Sequence, residues 1–523
     1  MSDVIFDTPQ AAGGVVFDAQ VPFAEPPVIV PISDPDFEAW LADPRAVPAF
    51  LLESDSLSGG VEITRYLCKG AFPVTGTVDI PASTFYAPVV SVGAQFTEQL
   101  SLSGAGNMSV GDIEIDNIGF VRDSWYLDDV YAGRGQRGYF GDVRWNRADF
   151  RQVMNAVSSG IVRKSRESLA IKLRDQMQRL DTPLSEVILG GNSLASEVLR
   201  PSGFGECHNA TPAYDPTTDT YYVHTGAIER IIEVLVNEMP VSYVADLATG
   251  SFRLTAGLAP GGMVTCSFQG DKFEGVYRNT VASVIRRIVT GYGKDEDRFT
   301  EDDIDTDNFD KFEASHPQKI GIYIADRTNI LNICAQLADS LGSQMVPSRL
   351  GKLRLIQIGL AGASTFDIRP QYMDGEQLTP VATVDPVAAF KLGFDKNWTV
   401  ETNIQTGIPD EHKALFGEEW LYAAAADETV KLMYKLTAAV IPKNTMLKVR
   451  AEALAEAYRR LALWKKKRTM YKFNGSPEML KLELGQAVTV YHHENSMQGG
   501  VPGIIMSLSP NWIESKCEVG VLV

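Results

Sequence analysis

The alternation of apolar and polar residues predicts a chain built mainly of β-strands. Over residues 113–118, isoleucines sit beside acidic residues at close to a period of two, which indicates a half-buried strand. The same alternation predicts strands at 157–162 and 169–173, and we expect a helical turn at 149–156 before them. Together these elements predict a compact antiparallel barrel or sandwich over residues 111–183.

Glycines divide this stretch and its neighbours into short segments. Gly133, Gly135 and Gly138 predict turns with positive φ, a conformation that glycine adopts without steric cost. Residues 56–60 predict a hairpin turn, and Gly250 predicts a turn between two short strands.

Further strands are expected on both sides of this stretch. They are predicted at 50–52, 61–68, 74–80, 82–88, 96–102, 320–324, 344–346, 353–358 and 390–395, and in shorter pieces through 209–271 and 482–523. Most of the chain is therefore predicted to lie in β-sheets.

Three segments have the 3.6-residue spacing of amphipathic helices. They cover 280–290, 329–341 and 446–464, and Gly342 is placed to end the second. The third is the longest, and its apolar stripe is predicted to be Leu447, Ala451, Leu454, Tyr458 and Leu461. A helix packed on a small sheet, an α+β unit, follows for the middle of the chain.

These patterns divide the chain into five predicted parts. Prolines are dense before Pro48, so residues 1–47 are predicted to form an extended arm with one helical turn at its end. A β-barrel domain is predicted at 48–190, a small β module at 191–272 and an α+β module at 273–370. A second β-barrel domain, with the long helix, is predicted at 371–523.

A series of short motifs follows the strand predicted at 113–118 along the chain. They are Trp125, Asp128–Asp129, Ala132–Arg134, Gly141–Trp145, Ala148–Phe150, Leu173–Asp175 and Leu180–Pro183. This succession resembles the tail-tip or baseplate hub proteins of tailed bacteriophages and prophages of the siphophage type. The resemblance runs from about Pro48 onward and includes the closing segment from Leu484 to Trp512.

The resemblance implies a mainly β, multidomain fold, with tail-tube-like β-barrels and small α+β modules. It implies a structural virion protein that closes the distal end of the tail tube and joins it to fibre or receptor-binding proteins during assembly and DNA ejection. The partners it implies are the distal tail protein or tail tube, the tape-measure protein and a central fibre. It also implies a homotrimer, because two barrels in each of three copies would present a pseudo-sixfold ring to a sixfold tube.

Charge adds a second expectation. The chain of 523 residues has a net charge of −18, which argues against stable nucleic-acid binding. Ten acidic residues face three basic ones over 294–313, whereas basic residues dominate 134–179 and 443–472. We expect the excess acid to line a central passage through which DNA slides, and the basic stretches to face neighbouring subunits. Solvated surface charge is the alternative for each run.

The sequence predicts synthesis in a bacterial host cytoplasm, and the resemblance implies a final location in the virion, at the phage tail tip. No apolar run reaches the length of a transmembrane helix, and the first ten residues lack the features of a secretory signal. The five cysteines, at 68, 207, 266, 334 and 517, lack the spacing of a zinc site or a disulfide framework, so buried free thiols are expected.

Candidate chemistry is sparse. Cys207 and His208 are adjacent, which directs their side chains apart and disfavours a Cys/His peptidase. His492, His493 and Glu494 could hold a metal or form an exposed turn.

The acidic run suggests a calcium loop only in part. Asp303, Asp305 and Asp307 have the alternating spacing of an EF-hand, but Asn308 stands where glycine is needed and Ala314 where a bidentate glutamate is needed. A solvated acidic loop or an electrostatic partner contact remains the alternative.

Walker A and G-x-S-x-G motifs are absent, and the basic cluster 465–468 fits the end of a helix. We therefore expect no catalytic residue, no cofactor and no metal. A tail-borne cell-wall hydrolase and a carbohydrate-binding adhesin remain as alternative functions.

Overall fold

The computed structural model describes residues 35–523 except 71, 73, 78, 94–95, 103–106, 175, 190–197, 257–261, 403–409 and 436–438. Most of the predicted arm, residues 1–34, thus lies outside the described residues.

The first part of the chain forms a curled antiparallel sheet. Its elements are α1 (Pro35–Leu41), β1 (Pro48–Ser58), β2 (Val61–Lys69), β3 (Val90–Val92), β4 (Phe96–Gln99), β5 (Asn107–Val110), β6 (Ile113–Asp116), α2 (Asp123–Leu127), β7 (Gly135–Asp142), β8 (Arg151–Ser165) and β9 (Ser168–Arg174). Seven strands pair in the order β2-β1-β7-β8-β9-β6-β3, every pair antiparallel. The two edge strands approach each other, and the Lys69 ammonium donates to the Ser91 carbonyl at 3.4 Å.

Several strand predictions in this part are confirmed, but the predictions for 149–156, for two of the glycines and for 74–88 are wrong. The segment 149–156 is not a helical turn, because β8 begins at Arg151. The pairing of Gly138 with Met154 and of Tyr139 with Gln152 leaves Val153 as an extra residue. This β-bulge interrupts the alternation, so the sequence there does not show a period of two.

Gly135 and Gly138 lie within β7 and not in turns; of the three glycines only Gly133 has positive φ, at 77°. A side chain at Gly138 would approach the ring of Phe50 to 3.0 Å, so this glycine makes room for an aromatic core residue.

No strand forms over the described residues of 74–80 and 82–88. The Thr75 amide donates to the Thr84 carbonyl at 3.0 Å, and the Gly76 amide donates to the Asp79 carboxylate at 2.6 Å. Local bonds of this kind hold the backbone in turns and compete with a strand ladder.

The described middle of the chain combines two larger sheets and the two-stranded hairpin β20–β21 with three helices. Its elements are β10 (Ser202–Ala210), β11 (Ala213–Asp215), β12 (Thr220–Tyr222), β13 (Ile228–Val236), β14 (Met239–Pro240), β15 (Tyr243–Asp246), β16 (Ser251–Leu254), β17 (Val264–Phe273), β18 (Val276–Tyr277), α3 (Val281–Gly291), α4 (Thr306–Ser315), β19 (Gly321–Ile324), α5 (Ile330–Ser340), β20 (Ser343–Pro347) and β21 (Leu353–Gln357). One sheet has the order β14-β13-β17-β10-β19, with β18 paired to β17, and a second has the order β11-β12-β16-β15.

The α+β prediction for this part is confirmed, including helices α3 and α5 and the hairpin β20–β21. Helix α4 was not predicted, because its acidic residues hide its periodicity. The Asp305 carboxylate caps it by accepting from the Asn308 amide, and Phe309 and Phe312 bury its inner face.

The last part returns to β-structure. Its elements are β22 (Phe366–Ile368), β23 (Thr379–Val384), β24 (Val387–Phe394), α6 (Asp410–Gly417), β25 (Leu421–Ala426), α7 (Glu428–Tyr434), β26 (Ala439–Asn444), α8 (Arg450–Trp464), β27 (Arg468–Gly475), β28 (Ala487–Val490), β29 (Val501–Asn511) and β30 (Lys516–Leu522). A sheet of order β22-β28-β29-β30-β27-β23 also includes the hairpin β4–β5, which pairs with β29. Strands β25-β24-β26 form a separate sheet.

Helix α8 begins four residues later than predicted, and the predicted apolar stripe is right only in part: Leu447 and Leu461 are buried, whereas Ala451 and Tyr458 are exposed. The buried apolar residues of the helix are Ala453, Ala457, Leu461 and Leu463. Glu456 is buried beside them because Arg459 and Arg460 pair with it at 2.7 and 2.6 Å. Because the buried face of α8 includes charged residues, the spacing of apolar residues alone misplaced that face.

The first and last sheets share one hydrophobic core. Phe50 and Phe140 from the first sheet lie in the same buried cluster as Ile505 and Trp512 from the last. The rings of Phe140 and Trp512 are 5.1 Å apart. The fold is thus mainly β with α+β parts, as predicted, and its two large sheets are joined through a common interior.

The helical turn predicted at the end of the arm is present as α1 (Pro35–Leu41), and the segment 35–47 packs against the first sheet. Trp40 is buried against Phe140 and Trp145, and its indole N–H donates to the Asp142 carboxylate at 2.9 Å. The Lys481 ammonium pairs with Glu38 at 2.8 Å and ties α1 to the last part of the chain. Aromatic burial thus anchors this segment within its own chain, against the expectation for an arm.

Candidate assembly interface

A group of apolar side chains protrudes from one end of the first sheet. The loop and short helix between β6 and β7 stand beside the tip of the β8–β9 hairpin, and we call residues 117–130 with 162–167 the projection. The Asn117 amide donates to the Glu167 carbonyl at 2.7 Å, which joins its two parts. Its exposed large apolar residues are Ile118, Phe120, Val121, Tyr126, Leu127, Val130 and Val162.

Three apolar side chains of the projection are largely exposed to solvent, although residues of this kind are usually buried. Ile118, Val121 and Leu127 are 66%, 70% and 66% exposed. Clustered apolar exposure on a rigid loop is typical of a surface that another protein covers.

Hydrogen bonds fix the start of the projection. The buried Asn117 side chain accepts from the Arg122 amide at 2.9 Å and donates to the Asp123 carboxylate at 2.7 Å. The Arg122 guanidinium donates to the Asp116 carbonyl at 2.9 Å. Phe120 has a φ of 62°, a conformation that a bulky residue adopts only when its surroundings impose it.

Arg65, on strand β2, fixes the end of the projection that leads into β7. Its guanidinium lies 4.6 Å from the Trp125 ring centroid and 2.5 Å from the Asp129 carboxylate. The amides of Leu57 and Val130 each donate to the other's carbonyl at 2.9 Å. The apolar patch is therefore held in place before any partner arrives, which lowers the entropy cost of binding.

Basic side chains border the patch. The guanidinium groups of Arg163 and Arg166 lie 5.3 and 5.7 Å from the Phe120 ring centroid. Both residues are exposed, and Lys164 between them pairs with Glu114. An apolar centre with an arginine border has the anatomy of a protein interface.

The sequence did not reveal this site. Ile118 was assigned to the strand pattern, but β6 ends at Asp116 and the chain turns through a 3-10 helix at 118–120. Only the basic run over 134–179 pointed toward the hairpin tip.

Several carboxylates of the acidic segment 294–313 form hydrogen bonds or ion pairs within the chain. The Thr300 amide and hydroxyl donate to the Asp303 carboxylate at 2.8 and 3.0 Å, while Asp305 caps α4. Arg286 pairs with Glu301 at 2.6 Å. Within the described ranges no group of three or more His, Cys, Asp or Glu is placed to hold a metal ion. The three aspartates of the calcium interpretation are thus not brought together as a ligand set.

The other candidate residues have structural contacts. His492 is buried, and its Nε2 lies 2.9 Å from the Glu376 carbonyl while its Nδ1 accepts from the Glu494 amide at 3.1 Å. His208 Nε2 lies 3.1 Å from the Leu415 carbonyl. Burial raises the pKa of the Cys207 thiol to about 12, so a thiolate nucleophile is disfavoured there.

One buried polar network was not predicted. Asp271 accepts from Arg287 at 3.0 Å and from the Tyr292 hydroxyl at 2.9 Å, and His224 Nε2 lies 3.3 Å from it. His224 Nδ1 accepts from the Gly203 amide, so Nε2 carries the proton of the neutral ring. Burial opposes the charge of Asp271, but the hydrogen bonds from His224 and Arg287 outweigh it and lower the pKa. The network is buried and joins strand β17 to helix α3.

Comparisons with known proteins give matches among solved structures only. No family model matches the chain, and no curated protein matches it. The chain is similar to the 43 kDa tail protein of prophage MuSo2 from Shewanella oneidensis, at 12% identity over 91% of this chain and 98% of that one, with a TM-score of 0.38.

Two further solved structures, a prophage tail protein and a chain of a virion, are similar to this chain at the same low level. Prophage tail protein gp18 from Listeria monocytogenes EGD-e has 10% identity, covers 90% of this chain and 94% of its own, and has a TM-score of 0.39. A chain of a native gene transfer agent virion has 12% identity, covers 66% of this chain and 91% of its own, and also has a TM-score of 0.39. TM-scores below 0.5 do not establish a common fold.

Across the part of the chain that the structure describes, helices are too short or too polar to span a membrane.

Proposed function

We propose that this chain is a structural protein of a phage tail and forms the tail-tip or baseplate hub. In this role it closes the distal end of the tail tube and connects the tube to fibre or receptor-binding proteins during assembly and DNA ejection. The observation that carries the proposal is the projection: a braced apolar patch, bordered by arginines, that has the properties of a surface covered by another protein.

The sheet architecture supports the same role. Two large sheets, from 48–174 and from the last part of the chain, are curled around one core. A protein with two such units can present six of them as a trimer and match a sixfold tube, so we propose a homotrimer. The edge strand β23 is exposed along five of its six residues, and assembly would cover such an edge.

The remaining partners follow from this placement. The tail tube or distal tail protein lies on one side, the central fibre or receptor-binding proteins on the other, and the tape-measure protein inside the tube. DNA passes through the lumen without stable binding, as the net charge of −18 favours.

Labelling of assembled particles tests the proposal. An antibody against this chain, applied to purified virions and viewed by electron microscopy, should label the distal tip of the tail. Label along the whole tube or on the capsid would overturn the hub assignment. Light scattering of the purified chain should give three times 57.2 kDa, and a stable hexamer would exclude the trimer.

A further inference from the structure

We propose that the residues preceding α1 dock on the projection of their own chain and cover its apolar patch until a partner takes their place. We call residues 1–34 the leading segment. This inference goes beyond the proposed function, because it concerns the free chain before it enters a tail. The occupant of the patch is thus a named segment of this same chain.

The leading segment contains two similar apolar motifs. Residues 4–7 read Val-Ile-Phe-Asp, and residues 15–18 read Val-Val-Phe-Asp. Each motif has three large apolar residues directly before a carboxylate. The projection has the complementary arrangement, since its exposed apolar side chains lie beside arginines. Docking would remove both sets of apolar side chains from water, which is the main source of free energy for such a contact.

Apolar match carries this contact more than charge does. The projection has four acidic and four basic residues, so its charge is balanced. Arg163 lies 3.9 Å from Asp123, and Lys164 pairs with Glu114. Among the described residues, Arg166 has no acidic partner within ion-pair distance, and its guanidinium lies beside an exposed ring. The leading segment has five acidic residues and no lysine or arginine, so a motif carboxylate can pair with Arg166.

The leading segment is long enough to reach the projection of its own chain. The described structure begins at α1, where the Phe37 ring centroid lies 5.9 Å from the Arg151 guanidinium at the start of β8. The projection stands at the other end of β8, roughly 35–45 Å away at the rise of a β-strand. Extended chain from Pro35 back to Asp18 spans up to roughly 55 Å, so both motifs reach. The apolar run at 28–32 spans at most roughly 25 Å and does not.

Tethering favours the chain's own projection over the projection of another copy. A tethered segment has an effective concentration of about a millimolar, well above the micromolar concentration of the chain in an ordinary measurement. The projection is braced before binding, so the ordering entropy is lost mainly by the leading segment. Docking therefore shields an apolar patch that would otherwise promote association of free chains.

Hydrogen exchange measured by mass spectrometry on the full chain tests the contact. Val121→Ser with Leu127→Ser removes two exposed apolar side chains from the patch. Peptides covering 1–20 should then exchange at least about tenfold faster, because fewer apolar contacts hold them. In the converse experiment, Phe6→Ser with Phe17→Ser should uncover the patch and raise the fluorescence of an added apolar dye at least about twofold.

Each pair of substitutions has a matched control. Leu432→Ser with Met433→Ser alters two residues on helix α7 that are 75% and 73% exposed, and should leave the exchange of peptides 1–20 unchanged. Val28→Ser with Val30→Ser alters the part of the leading segment that does not reach the projection, and should leave the dye fluorescence unchanged. Circular dichroism should show the same fold in every variant, since the altered side chains of the described residues are exposed.

Three outcomes overturn the inference. The first is equal exchange of peptides 1–20 in the patch variant and the unmodified chain, and the second is exchange in the unmodified chain as fast as in a synthetic peptide of residues 1–20. The third is protection that rises with chain concentration between about 1 and 50 µM, since the occupant would then come from another copy. All three concern the free chain, so failure here is distinct from failure of the tail-tip role, which the labelling of virions tests.

Discussion

Replacing Trp40 tests whether the segment before β1 belongs to the folded core. The indole ring packs 4.7 Å from Trp145, 5.4 Å from Phe37 and 5.5 Å from Phe140, measured between ring centroids, and is 9% exposed. Loss of a buried tryptophan side chain costs about 3–5 kcal/mol. Trp40→Ala should therefore lower the free energy of opening this segment by about 4 kcal/mol.

A second variant separates burial from hydrogen bonding. The indole N–H donates to Asp142 at 2.9 Å, and that carboxylate also accepts from the Val47 amide at 2.9 Å. Burial opposes the charge of Asp142, yet hydrogen bonds from Arg144 and Trp40 hold its pKa well below the usual value. Trp40→Phe keeps an aromatic ring but removes the N–H, and should cost about 1–2 kcal/mol.

Hydrogen exchange measured by mass spectrometry on peptides covering 35–47 is the assay. Since 1.4 kcal/mol is a factor of ten, Trp40→Ala should raise exchange there roughly a thousandfold and Trp40→Phe about tenfold. The control is Val47→Ala, which removes a 48% exposed side chain in the same segment and should change the opening free energy by less than about 0.5 kcal/mol. Equal exchange rates in Trp40→Ala and the unmodified chain would refute the docking.

Three further predictions concern the core. Burial opposes the charge of Asp271, but hydrogen bonds from Arg287 and a histidine lower its pKa; its contribution to stability is therefore full above about pH 4 and lost as the pH falls. Urea unfolding should show Asp271→Asn destabilised by about 3–5 kcal/mol at neutral pH, because Arg287 loses its counter-charge, with a weaker dependence on acid. Gly321→Ala places a methyl group 1.7 Å from a backbone carbonyl oxygen and should lower the melting temperature strongly, whereas Gly362→Ala, in open space, should not. The five cysteines are buried, and burial raises the pKa of Cys207 to about 12, so a thiol reagent should label them only after unfolding.

Periodicity in the sequence was enough where a segment has one buried face and one exposed face. Helix α3 was predicted from Val281, Val284, Ile285 and Ile288, and all four are buried. Periodicity was not enough where a buried face also carries charged residues. In α8 the buried face contains Glu456, whose charge is compensated by arginines three and four residues further along.

The sequence also did not predict which strands pair when they lie far apart along the chain. Strand β4 was predicted beside the first sheet's strands, yet it pairs with β29, and the register aligns Gln99 with Ser507. Nothing in the composition of a four-residue strand specifies a partner some 400 residues away, because the partner is selected by the core that both must cover. A division into domains by sequence order therefore cannot show that the two large sheets share an interior.

The same reasoning explains why the projection escaped prediction. Ile118 and Leu127 are ordinary apolar residues, and only the rigid loop around Asn117 keeps them in solvent. Arg65, on β2, braces the projection from a different element through its ion pair with Asp129. A braced surface loses less ordering entropy on binding than a flexible loop would.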